Sequence, residues 1–153
     1  MVDGLFTILL FASCLYACFE GGKEGRWVTF FIISAAVLSI PAGSLGHQWR
    51  DVQLPVLGVD VLLLLALGIV AVRSQRYWPL WITGFHLVSI VTHIARIGQG
   101  DLPPTIYFAL QSFWSVPGLL AMVAGIMMDR RAGLPKSAPW KPFRHERGAQ
   151  NPG

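Results

Sequence analysis

The sequence predicts an all-α polytopic membrane protein, a bundle of five transmembrane helices joined by short loops, N-terminus out and C-terminus in. Three observations predict it. Of 153 residues, 54% are hydrophobic and only 13% are charged, about half the charged share of a water-soluble domain. The apolar residues run continuously rather than alternating with period two, which argues for helices over strands. Five such runs occur, and each approaches the roughly 20 residues needed to cross about 30 Å of hydrocarbon.

The expected spans cover residues 2–19, 27–45, 54–72, 77–97 and 102–128, so residues 1–128 form one transmembrane domain. The second span carries Pro41 near its far end, and Pro117 interrupts the fifth. Proline is tolerated in membrane helices as a kink. Pro55 opens the third span, where its missing N–H would be an orphan anyway. The connecting segments at 20–26, 46–53, 73–76 and 98–101 are too short for a soluble domain, so neighbouring spans must be antiparallel. Residues 129–153 read as a basic, Pro- and Gly-rich tail, expected to be disordered because it cannot bury enough apolar surface to fold.

Orientation follows from the positive residues. Lys23, Arg26, Arg73, Arg76, Arg130, Arg131, Lys136, Lys141, Arg144 and Arg147 fall on one side, and only Arg50 and Arg96 on the other. Basic residues stay on the cytoplasmic side, which places the tail inside the cell. A cleaved leader ending near Phe19 would invert the chain against this count, and no basic residue precedes the first run. A multi-pass protein of a bacterial inner membrane is the expectation. Trp27, Tyr77, Trp78 and Trp81 are expected at the inner interface, and Trp49 and Tyr107 at the outer one.

Candidate functional residues are the ionisable groups at depth, because burying one in hydrocarbon costs about 2.5–3.5 kcal/mol on insertion scales. These are Asp60 in the third span and His86, His93 and Arg96 in the fourth. On a helical wheel the two histidines share a face with Ser89, whereas Leu80, Leu87, Val88, Val91, Ile94 and Ala95 form an unbroken apolar face toward lipid. Counting from the turns at 1.5 Å per residue puts each histidine about 4–6 Å in depth from Asp60. The same count sets Tyr107 nearly level with His93, and Gln111 nearly level with His86. A polar layer Asp60–His93–Tyr107 is therefore expected. Such groups also serve simply to lock helices together, at about 0.6 kcal/mol per hydrogen bond.

His86 and His93 are about 10 Å apart along one helix and cannot clamp one haem between them. His47 and His93 approach the same surface from different helices, and that pair is the expected ligand set if a haem b is held. No HExxH, GxSxG, Walker A or GxGxxG pattern occurs, and Asp60 is the one acid at depth. Cys14 and Cys18 lie one turn apart in the first span and read as small hydrophobes. Ala35 with Ser39, and Ala121 with Gly125, have the spacing of close helix contacts.

The leading functional expectation is a non-enzymatic accessory or assembly subunit of a larger membrane complex. Its basic tail (Arg130, Arg131, Lys136, Lys141, Arg144 and Arg147) would dock to anionic lipid or to a partner. The alternatives are a redox or proton-handling protein using Asp60, His86 and His93, and a small oligomeric transporter. Expected partners are the lipid bilayer and other membrane subunits or a second copy of the chain. Nucleic acid is not expected, since no folded module accompanies the charge.

Overall fold

The structure, a computed structural model, describes the backbone of residues 2–45, 54–98 and 104–136 and the side chains of 4–41, 55–95 and 114–136. Five helices account for most of it: α1 Val2–Glu20, α2 Gly22–Leu45, α3 Leu54–Arg73, α4 Trp78–Gly98 and α5 Pro104–Arg131. Each packs on the next, and α5 packs back on α1. The five therefore close a ring around a central axis.

By length and composition three of the helices can cross a membrane, in the segments Gly22–Pro41, Pro55–Arg73 and Trp78–Ala95. Much of the surface is apolar, with Leu5, Ile8, Ile40, Leu62 and Val72 among many large side chains left outside. A water-soluble monomer rarely shows so extensive a patch. The protein is thus a helical bundle with a membrane-compatible exterior. On α4 the side chains of Leu80, Leu87, Val88, Val91, Ile94 and Ala95 are all exposed, while Ser89 and His93 are buried, as the wheel requires.

Two features of the helix starts and ends differ from the sequence reading. Residues 20–26 look like a polar loop, yet α2 begins at Gly22, and the break from α1 is Gly21 alone. The reason is backbone proximity. A Cβ on Gly21 would stand 2.5 Å from the Ala17 carbonyl oxygen, and one on Gly25 would stand 2.1 Å from it. Only glycine lets α2 start this tightly against α1. At the other end of the chain, α5 continues to Arg131 and then stops on a left-handed residue, Gly133 at φ 71°. Leu134 N–H donates to the Asp129 carbonyl at 3.0 Å and Gly133 N–H to that of Arg130 at 3.1 Å. That is the Schellman pattern, which satisfies two otherwise orphaned carbonyls.

The core occupies the half of the ring nearest the α1–α2 and α3–α4 turns, here the basic end. Ala17, Val28, Val70, Trp78, Met122 and Ile126 fill it. Trp78 corrects the interfacial belt. Tyr77 and Trp81 are exposed, but Trp78 is 2% exposed. A Cβ on Gly125 would lie 2.2 Å from the Trp78 Cβ, so the missing side chain at 125 is the notch that admits the indole. Cys14 is buried in this core, whereas Cys18 faces outward, and both are free thiols.

Candidate functional site: a carboxylate and two histidines beside a cavity

Above the core, at mid-depth, the ring is hollow. A cavity of about 230 Å³ is lined from all five helices. Phe6 and Leu10 come from α1, and Ile32, Ala35 and Ser39 from α2. Asp60, Leu63 and Leu67 come from α3, Ile82, Phe85, His86 and Ser89 from α4, and Trp114, Ser115 and Leu119 from α5. The hollow is a consequence of the closed ring, since five helices around an axis leave more room than their apolar side chains fill. Small residues on the inside enlarge it: Ala35, Ser39, Ser89 and Ser115 contribute little volume.

The polar groups concentrate on the α3–α4 wall. His93 Nε2 lies 3.1 Å from Asp60 Oδ2, with the two side chains 2% and 15% exposed. The distance suits an ion pair, but the ring is turned off hydrogen-bond alignment, so Oδ2 has no hydrogen-bond partner among the described residues. His86 Nε2 lies 2.9 Å from the Asp60 carbonyl oxygen. A carbonyl can only accept, so Nε2 carries the hydrogen, and in the neutral form of the ring the lone pair is on Nδ1. The two histidines thus take different parts of one residue: His93 faces the carboxylate and His86 the backbone. Asp60 and His86 line the cavity, whereas His93 does not.

Ser39 completes the polar lining from α2. Its hydroxyl donates to the Ala35 carbonyl at 2.8 Å, which leaves oxygen lone pairs for anything else. Thr83 and Thr92 on α4 bond their own helix in the same way, at 2.7 and 3.0 Å.

Several residues singled out in the sequence fall elsewhere. The side chains of Arg96, Tyr107 and Gln111 lie outside the described residues, as do His47, Lys141, Arg144 and Arg147. Neither the full polar layer nor the His47–His93 haem pair is therefore placed. Among the described residues no three His, Cys, Asp or Glu side chains gather as a metal site.

A second polar cluster, at the basic end, was not apparent in the sequence. Arg76, 7% exposed, reaches Asp129 at 2.6 Å and donates to the Pro135 carbonyl. Glu20 accepts from Lys136 at 3.1 Å and pairs with Arg130 at 2.9 Å. Lys136 also donates to the Phe19 carbonyl at 3.2 Å. The first residues after α5 are thereby strapped across the ends of α1 and α3. The hydrogen bond from Lys136 and the two adjacent cations hold the Glu20 carboxyl below its ordinary pKa. Glu24 is fully buried nearby in sequence, with neither oxygen hydrogen-bonded among the described residues. Its place in the first turn of α2 sets it at the positive end of the helix dipole, which favours an acid. The sequence signal was present only as charge. The pairing of these basic residues with Glu20 and Asp129 depends on which helix ends meet.

No family model matches the chain, and neither a curated protein nor a solved structure matches it.

Proposed function

We propose that this chain is a five-span protein of the bacterial inner membrane, N-terminus out and C-terminus in, whose mid-depth site handles a proton. The single observation that carries the reading is the Asp60–His93 contact, 3.1 Å across and almost wholly buried beside a cavity. An intramembrane carboxylate is expensive, and an imidazole within ion-pair reach offsets the cost when it carries a proton. Structural locking alone would not need a hollow beside the pair.

Infrared titration of the purified protein tests this. A carboxyl band that changes with pH should disappear in Asp60→Asn and move in His93→Gln. A carboxyl spectrum that neither substitution alters would overturn the reading. The topology has its own test: a reporter fused after Gly153 should remain inaccessible from outside the cell.

A second reading, the accessory subunit, is favoured by the strap. Residues 132–136 are held against the helix ends, and the basic residues Lys141, Arg144 and Arg147 follow them in the sequence. On this reading those residues serve docking to anionic lipid or to a partner subunit. Isolation in mild detergent, with and without residues 137–153, distinguishes a protein that carries partners through its tail from one that works alone.

A further inference from the structure

The cavity is more selective than a polar hollow need be, because its fixed polar groups mainly accept hydrogen bonds. Asp60 brings a carboxylate. The hydrogen on His86 Nε2 is directed to the Asp60 carbonyl, which leaves Nδ1 as an acceptor. The Ser39 hydrogen is committed to the Ala35 carbonyl, which leaves its oxygen as an acceptor too. The hydroxyl of Ser89, also in the lining, serves either role. Apart from Ser115 and the indole N–H of Trp114, which is a donor, the remaining lining is apolar, with the aromatic rings of Phe6, Phe85 and Trp114 among it.

We propose that this cavity binds a small single-ring amine in its ammonium form, with Asp60 as counter-ion; the proposal rests on the proton-handling reading of the same site. Size sets the ring count. A cavity of about 150 Å³ lined by aliphatic and aromatic side chains holds benzene, so about 230 Å³ takes one ring with a short substituent. Chemistry sets the polar group. An ammonium brings three N–H donors and no acceptor, the complement of what Asp60, His86 and Ser39 present, and aromatic faces attract a cation. A neutral alcohol would satisfy one acceptor and bring no charge to the carboxylate.

Charge balance then couples binding to a proton. In this scheme the Asp60 carboxylate of the empty site has a protonated His93, 3.1 Å away, as its counter-ion. When an ammonium enters, His93 releases its proton to water, and the site keeps the same net charge. Asp60 and His86 are the titratable groups lining the cavity, and His93 stands behind Asp60. From α1, α2 and α5 no titratable side chain joins them among the described residues.

Calorimetric titration of the full chain in detergent tests the proposal, with 2-phenylethylammonium as the probe and 2-phenylethanol as its neutral counterpart. Two buffers of different ionisation enthalpy report the protons. The amine should bind at least tenfold tighter than the alcohol and release about one proton. Asp60→Asn should lose at least tenfold in amine affinity while keeping its weak alcohol binding, which also shows that the cavity is intact. Equal affinity for the two probes, an amine affinity unchanged in Asp60→Asn, or binding of neither probe would overturn the proposal. The outcome separates from that of the infrared titration. A titrating Asp60–His93 pair without amine preference removes the ligand class alone, whereas Asp60-dependent amine binding without proton release removes the coupling.

Discussion

The basic end of the bundle and the cavity above it are built from the same five helices in opposite ways. At the basic end, backbones approach closely at Gly21, Gly25 and Gly125, Trp78 fills the axis, and ion pairs tie the helix ends to the strap. At mid-depth, small alanines and serines leave the axis open, and the ionisable groups gather on the α3–α4 wall beside that gap. In lipid there is little hydrophobic drive to bring helices together, so packing and polar contacts must do it. One half supplies that cohesion and so permits the other to stay hollow. Substitutions at the basic end should therefore cost stability, and those at mid-depth should cost function.

The largest loss is expected from Arg76→Met. It removes the partner of Asp129 and the donor to the Pro135 carbonyl, leaving a largely buried carboxylate unmatched. Breaking a buried ion pair from one side costs about 3 kcal/mol or more. Thermal unfolding in detergent should show it, and a melting temperature equal to the parent's would mean that the strap is ornamental. Next comes Gly125→Val. The new side chain meets Trp78 at its root, where neither backbone can yield cheaply, and overpacking of this kind costs about 1–3 kcal/mol. A variant as stable as the parent would show that Trp78 can leave the axis.

At mid-depth the expectation reverses. Asp60→Asn keeps the side-chain shape and leaves the carbonyl that His86 uses untouched. Membrane hydrogen bonds are worth about 0.6 kcal/mol on average, so the melting temperature should move little while the carboxyl titration disappears. A collapse in stability instead would make the Asp60–His93 pair a helix lock and merge the two halves into one structural class.

How much of this was legible beforehand follows the same division. Continuous apolar runs mark the helices because composition alone demands them, and the lipid face of α4 follows from the 3.6-residue period. Depth along a helix likewise sets Asp60 near both histidines. It does not say which one meets the carboxylate and which the carbonyl, since that depends on helix tilt. The early start of α2 and the burial of Trp78 stayed hidden for a different reason. Both depend on glycines that act only when a second helix arrives, and a charged, glycine-rich stretch such as 20–26 reads as a loop until then. The cavity is the least legible feature of all, because it belongs to the closure of the ring and to no single segment.

The smallest effect should come from the outermost link of the strap. Glu20 sits among Lys136 and Arg130 with its side chain about a third exposed, and exposed pairs of this kind contribute little. Its carboxyl pKa is lowered in the folded protein, first by the hydrogen bond from Lys136. A depressed carboxylate stabilises above its unfolded pKa, and that contribution disappears as the pH falls through the folded value. The strap should therefore be best held at neutral pH and loosen on acidification below the usual carboxylate range. Amide exchange of residues 132–136, corrected for intrinsic rates, reads this directly. Glu20→Gln should exchange faster than the parent at pH 7, and the two should converge as the parent is acidified. If the parent's protection is flat across that range, Glu20 does not hold the strap, and Arg76 with its partner Asp129 holds it alone.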